Sequence, residues 1–89
     1  MTINYEALPE HTRGGMRRYI ESGIEPGSFL TAVLCNDLMG AVGKADEINR
    51  ERIFDICAFL YCEAPRGCFG SANSFQSWVQ RGGLGEQRR

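Results

Sequence analysis

The sequence predicts an all-α domain, and three observations carry that expectation. Leu30, Leu34, Leu38 and Val42 recur every four residues, the spacing of one helix face. No alternation of apolar and polar residues runs longer than four positions, so no half-buried strand is indicated. Gly23, Pro26, Pro65 and Gly82 fall between the periodic segments, where helices stop and restart. The expected architecture is a small helical domain in which a central antiparallel pair of longer helices, about 28–44 and 49–63, is flanked by two shorter ones.

Pro9 suits the first turn of the first helix, and Glu10 adds a favourable charge there. That helix runs through Met16, Tyr19 and Ile20 to Gly23, a natural left-handed C-cap. Gly14 and Gly15 weaken it by roughly 1 kcal/mol each. Either the helix begins near Gly15, or a backbone or ligand packs closely there. Glu25-Pro26-Gly27-Ser28 is turn chemistry with Ser28 as N-cap. Phe29, Val33 and Ala41 widen the stripe of the second helix, and Gly43-Lys44-Ala45-Asp46 ends it. Asn49 is the expected cap of a third helix, with Ile53, Ile56, Cys57 and Leu60 on one face and Phe54, Ala58 and Tyr61 on another. Being apolar nearly all round, it is expected to lie at the centre. Leu34, Leu38 and Ile56 are expected to face inward. Pro65 terminates the helix, because proline forces its predecessor out of helical geometry. Ser71 caps a short last helix with Phe75, Trp78 and Val79 on one side, and Gly82-Gly83 closes it. The ordered core is expected over about 8–83, with Leu84 to Arg89 a mobile tail.

A chain of 89 residues is one domain, and 43% hydrophobic with 24% charged residues is the balance of a folded one. Residues 1–45 carry four cations and five anions, residues 46–89 six of each, for a net charge of −1. Such a balance gives no basic patch for duplex nucleic acid. Met1 to Glu6 lacks the basic start and apolar core of a secretory signal. Phe29 to Cys35, the longest strongly apolar run, is far short of the ~20 residues of a membrane span. A cytoplasmic protein without membrane contact is expected. Cys35, Cys57, Cys62 and Cys68 show no zinc-knuckle spacing, and His11 is the only histidine. Reduced thiols packed as small hydrophobes are expected, with no metal and no cofactor. So small a core makes self-association through Phe and Trp of the last helix an expected supplement, giving a homo-oligomer.

No nucleophile lies near His11 in sequence, so no catalytic residue is assigned. Glu47, Glu51 and Asp55 share a helix face beside Arg50 and Arg52, which reads as a solvated face more readily than a metal or acid–base site. Asn36-Asp37 interrupts the most apolar helix and needs hydrogen-bond partners, structural or from a ligand, if buried. Pro26-Gly27-Ser28 and Phe69-Gly70-Ser71 both place glycine and a hydroxyl at a helix start, where free N–H groups favour an anion. Plain capping is the alternative there. Arginines on the first helix and Arg66 would add charge, and Phe69, Tyr19 and Trp78 a stacking face. The candidate ligand-binding set is therefore His11, Arg13, Arg18, Tyr19, Ser28, Asn36, Asp37, Arg66, Phe69 and Ser71.

Three stretches also carry a likeness: Pro9-Glu10-His11-Thr12-x-Gly14-Gly15-x-x-Arg18-Tyr19; Gly23-Ile24-x-Pro26-Gly27-Ser28-Phe29-Leu30-Thr31-Ala32-Val33-Leu34-x-Asn36-Asp37-Leu38; and Ala45-Asp46-x-x-Asn49 with the Ala64-Pro65…Gly70-Ser71…Trp78 ending. Over about residues 8–83 this pattern resembles a widespread family of small proteins of tailed phages and prophages. Phe69 stands where tryptophan is expected before Gly-Ser. The resemblance implies action in the cytoplasm of an infected bacterium. The expected function is an anti-defence binding protein that sequesters a phosphate-bearing, nucleotide-derived immune signal without catalysis. The alternatives are a protein–protein inhibitor of a host defence complex, similar in scale to anti-CRISPR proteins, and a small nucleotide-acting enzyme. Convergence of His11, Arg18, Ser28, Asn36, Asp37 and Ser71 in one pocket would favour sequestration; scatter would favour the inhibitor.

Overall fold

In the computed structural model, which describes residues 3–85, a 3₁₀ turn at Tyr5–Ala7 leads into five helices. They are α1 (Glu10–Ser22), α2 (Ser28–Leu34), α3 (Leu38–Lys44), α4 (Glu47–Cys62) and α5 (Ala72–Arg81). The all-α class is as expected: no strand occurs among the described residues. None of these helices is long and apolar enough to cross a membrane.

The second helix expected at 28–44 is two helices. Asn36 takes a left-handed φ of 64°, a conformation that asparagine tolerates better than most residues. The Asn36 amide donates to Val33 O (3.0 Å) and the Asp37 amide to Ala32 O (2.8 Å). This is a Schellman stop with asparagine in place of glycine. Asp37 then restarts the chain as N-cap of α3, its Oδ1 accepting from the Gly40 amide at 3.0 Å. The break turns α3 so that Ala41 faces inward and Leu38, expected in the core, is 61% exposed. Leu34 and Ile56 are buried, as expected.

Caps correct two other expectations. Gly27, not Ser28, is the N-cap of α2, and no side chain bonds there. Asp46, not Asn49, caps α4: its Oδ1 accepts from the Asn49 amide at 2.7 Å. Ser71 caps α5 as read, accepting from the Ser74 amide at 3.1 Å. α4 is not the all-round buried helix expected. Ile56, Phe59 and Leu60 are buried, whereas Phe54 and Tyr61 are 78% and 87% exposed. Its neighbours cover one face only.

The core is built where α1 and α5 end. Gly23 and Gly82 form left-handed C-caps with φ of 73° and 78°, and their backbones lie against each other. Trp78 Nε1 donates to both Tyr19 O and Ile20 O at 3.1 Å; Tyr19 O also accepts from the Gly23 amide at 2.9 Å, while Ile20 O is a carbonyl that the helix end leaves without a partner within the helix. Tyr19 stacks on Phe75 with ring centroids 5.2 Å apart. Phe75 and Trp78 are therefore buried within one chain and are not the self-association surface expected of them. Leu84, assigned to the mobile tail, is anchored: its amide donates to Ile20 O at 3.0 Å, and its side chain packs on the core. Gly85 is described with it, while the rest of that tail, 86–89, lies outside the described residues. Gly14 and Gly15 do not delay α1, which runs unbroken from Glu10. At Gly15 an added Cβ would touch Leu30 and Pro26, so the glycine lets α2 lie close.

Gly83→Ala tests the junction, because φ is +67° and a Cβ would lie 2.6 Å from Ile20 O. A loss of about 2–4 kcal/mol in denaturant unfolding is expected. Leu34→Ala is expected to cost about 2–5 kcal/mol and Leu38→Ala under about 0.5 kcal/mol. Equal costs for the two leucines would overturn the break at Asn36.

Candidate functional site

α1, the start of α2 and the start of α4 enclose an open cleft of about 410 Å³. Three residues of the candidate set meet in it: His11 and Arg18 from α1, and Ser28 from the first turn of α2. Lys44, at the end of α3, and Asp46 and Asn49, at the α4 start, complete its polar lining, while Phe29 and Leu30 supply apolar wall. Among the described residues neither Arg18 nor Lys44 has a carboxylate within 4.0 Å. Asp46 is already engaged: Oδ1 caps α4 and Oδ2 lies 3.6 Å from His11 Nε2, an ion pair when that ring is protonated. Thr12, also in the lining, donates its hydroxyl to Pro9 O at 2.8 Å. The cleft thus offers cations and donors in excess of free acceptors, a balance that suits an anion.

The other seven candidates lie elsewhere, and most have structural work. Arg13 donates through Nε to Leu8 O (3.0 Å) and through Nη2 to Glu6 O (3.2 Å), tying the 3₁₀ turn to α1. Tyr19 is fully buried and its hydroxyl donates to Cys68 O at 2.7 Å. Burial and the nearby Cys68 and Cys35 thiols raise its pKa far above the usual tyrosine value. Its ring is core, not a stacking face. Asn36 and Asp37 form the α2–α3 break beside a small cleft of about 50 Å³ that also includes Ile53 and Cys57. Arg66 and Phe69 line a separate open depression of about 420 Å³ with Tyr61. Ser71 is occupied as a cap. The Gly70 amide donates to Leu34 O at 2.8 Å, so the Gly-Ser pair before α5 offers an anion neither group. Ser28 heads a helix of only seven residues, and its contribution is a hydroxyl in the cleft. The six polar residues expected to converge or scatter do both: His11, Arg18 and Ser28 converge, while Asn36, Asp37 and Ser71 do not.

Sequence reasoning missed Lys44, Asp46 and Asn49 as site residues. Asn49 was read as a helix cap and Lys44 and Asp46 as part of the stretch that ends the second helix, and Asp46 and Asn49 also fall in the phage-like pattern; none of these signals pointed to a site. Glu47, Glu51 and Asp55 are exposed, with Asp55 paired to Arg52 at 2.6 Å. Among the described residues no group of three His, Cys, Asp or Glu side chains is placed to hold a metal. No protein-family model, curated protein or solved structure matches the chain. The likeness to the phage family rests on its sequence pattern alone.

The four cysteines are free, but only Cys68 is a buried hydrophobe of the kind expected; Cys57 and Cys62 are exposed and Cys35 is partly buried. Burial pushes the Cys68 thiol up to about 12, which leaves almost no thiolate near neutral pH. Titration with a disulfide reagent at pH 8 should label Cys62 rapidly and leave Cys68 intact until the protein unfolds, with four free thiols per chain in denaturant. Equal native rates at Cys62 and Cys68 would contradict the packing around α5.

Proposed function

We propose that this chain is a phage-encoded anti-defence protein that acts in the cytoplasm of an infected bacterium and sequesters a nucleotide-derived immune signal without catalysis. The observation that carries the proposal is the cleft in which Arg18, Lys44, His11 and Ser28 converge, its one carboxylate, Asp46, being turned to the α4 cap and His11 and lying beyond 4.0 Å of both permanent cations. A phosphate in it would accept charge-assisted hydrogen bonds from Arg18 and Lys44 and a hydroxyl bond from Ser28. Phe29 and Leu30 at its wall would meet an apolar face such as that of a nucleobase.

The test is calorimetry or thermal shift against cyclic dinucleotides, cyclic trinucleotides and ADP-ribose derivatives. Stoichiometric binding that weakens with salt is expected. Arg18→Ala and Ser28→Ala should each reduce affinity by on the order of 1–3 kcal/mol without changing the fold. Recovery of intact ligand after denaturation supports sequestration, and recovery of a cleaved product would move the assignment to a nucleotide-acting enzyme.

A second reading has its own observation. Leu38, Met39 and Val42 of α3 and Ile48, Phe54 and Tyr61 of α4 are exposed, more apolar side chain than so small a surface needs. That surface favours a protein–protein inhibitor of a host defence complex. Binding of none of the nucleotides, with recovery of a defence protein on the immobilised chain, would select it. The same side chains are the surface available for the homo-oligomer that forms part of our proposal. Light scattering should give a multiple of 9.9 kDa at micromolar concentration, and a monomer mass would overturn that part.

A further inference from the structure

One polar atom at this cleft is left without a partner. Asn49 is 6% exposed, and its Oδ1 is the enclosed side-chain nitrogen or oxygen, among the described residues, that makes no hydrogen bond. Its surroundings explain why. The Asn49 backbone N–H is taken by Asp46 Oδ1, and the Thr12 hydroxyl, in the same lining, is committed to Pro9 O. His11, Arg18 and Lys44 line the same cleft without bonding it. A buried amide oxygen without a donor is destabilising, whereas an apolar side chain of the same shape at that position would carry no such cost.

We propose that Asn49 Oδ1 accepts a hydrogen bond from a nucleobase N–H, so that the cleft takes a ligand combining a phosphate with an amino-bearing base. This rests on the nucleotide reading of the cleft and adds to it the part of the ligand that is recognised. Arg18, Lys44 and Ser28 hold the phosphate. The base lies against Phe29 and Leu30, both buried at the wall, and turns its donor edge to Asn49. The oxygen is itself enclosed; turning the soft terminal torsion brings it to the cleft and puts the Nδ2 group in its place, so binding includes that turn of the amide. A flat base with one donor edge suits this wall better than a ribose, whose remaining hydroxyls would be left unpaired against Phe29 and Leu30.

The experiment uses two probes, cyclic di-AMP and its analogue with purine in place of adenine, which lacks the exocyclic amine, against wild type, Asn49→Leu and Asn49→Ala. Wild type should bind cyclic di-AMP about tenfold or more tighter than the analogue. Both variants should lose that preference, binding the two probes alike. The alanine variant keeps the test alive should leucine fail to fit. The free Asn49→Leu protein should melt no lower than wild type, because it loses an unpartnered amide. A markedly lower melting temperature for both variants would show the oxygen to be paired within the protein and overturn the inference. So would a preference that survives substitution. An equal loss of affinity for both probes would assign the donor to the sugar and overturn the nucleobase assignment. Binding of cyclic di-AMP unchanged by Asn49→Leu overturns this inference alone, whereas absence of binding of either probe to wild type overturns it together with their fit to the cleft, and silence across the wider nucleotide panel removes the nucleotide reading itself.

Discussion

The arrangement of this domain depends on one indole N–H. Trp78 Nε1 sits between Tyr19 O and Ile20 O, the last turn of α1, and the Leu84 amide adds a second donor to Ile20 O. The bonds form because the left-handed turns after α1 and α5 touch, and glycine at 23 and 83 leaves no Cβ between them. With α1 fixed to α5, Tyr19 lies over Phe75 and its hydroxyl reaches Cys68 O. The loop that carries Cys68 then delivers the Gly70 amide to Leu34 O at the end of α2. In a chain of 89 residues, where the apolar core alone supplies little surplus, such chained satisfaction of helix ends sets the helix positions. The cleft is a consequence: it lies where α1, held at its far end, meets the starts of α2 and α4.

Much of this was legible because helix ends have local chemistry. Gly23, Ser71 and Gly82 were read correctly as caps, and Phe75 with Trp78 as sharing one helix face, since each rests on residues within one turn. The break at Asn36 was not, although its residues were noticed. Leu34 and Leu38 keep their four-residue spacing in sequence while the Schellman turn redirects the chain between them. Periodicity counts residues and is blind to a change of axis. Asn49 and Asp46, three residues apart, are both good caps, but the helix already begins at Glu47, so Asp46 stands just before it as cap and Asn49 falls within its first turn. The exposure of Phe54 and Tyr61 shows a further limit: an apolar composition states what a helix can bury, not what its neighbours cover.

The site was legible only in fragments. Gly-Ser pairs at helix starts pointed to anions, but the groups of Gly70-Ser71 went to a cap and to the Leu34 carbonyl, the plainer use of the same chemistry, and only Ser28 brings its hydroxyl to the cleft. The residues that do converge come from helix starts and ends far apart in sequence: His11, Ser28, Lys44 and Asn49. A net charge of −1 spread evenly over both halves conceals a cleft in which two permanent cations meet one carboxylate, because local charge is a property of the fold. Asn49 could not have been singled out from sequence, where an asparagine in the first turn of a helix has a sufficient local role.

Size constrains what such a cleft can do. It is open, and two turns of α2 with the first turn of α4 cannot enclose a nucleotide as a larger domain would. An apolar ligand depends on the area removed from water and would gain little on so open a surface. A phosphate interacting with Arg18 and Lys44 gains from charge-assisted bonds that need only short contacts. On the proposed reading, that is why the polar groups are few, with Asn49 as the acceptor not already engaged within the protein. Sequestration asks for affinity and nothing more, so no general base has to be positioned and no transition state complemented. The same openness leaves any bound ligand partly exposed. What shields it must be a second surface, and the uncovered apolar side chains of α3 and α4 are the part of this chain with most to gain from meeting one.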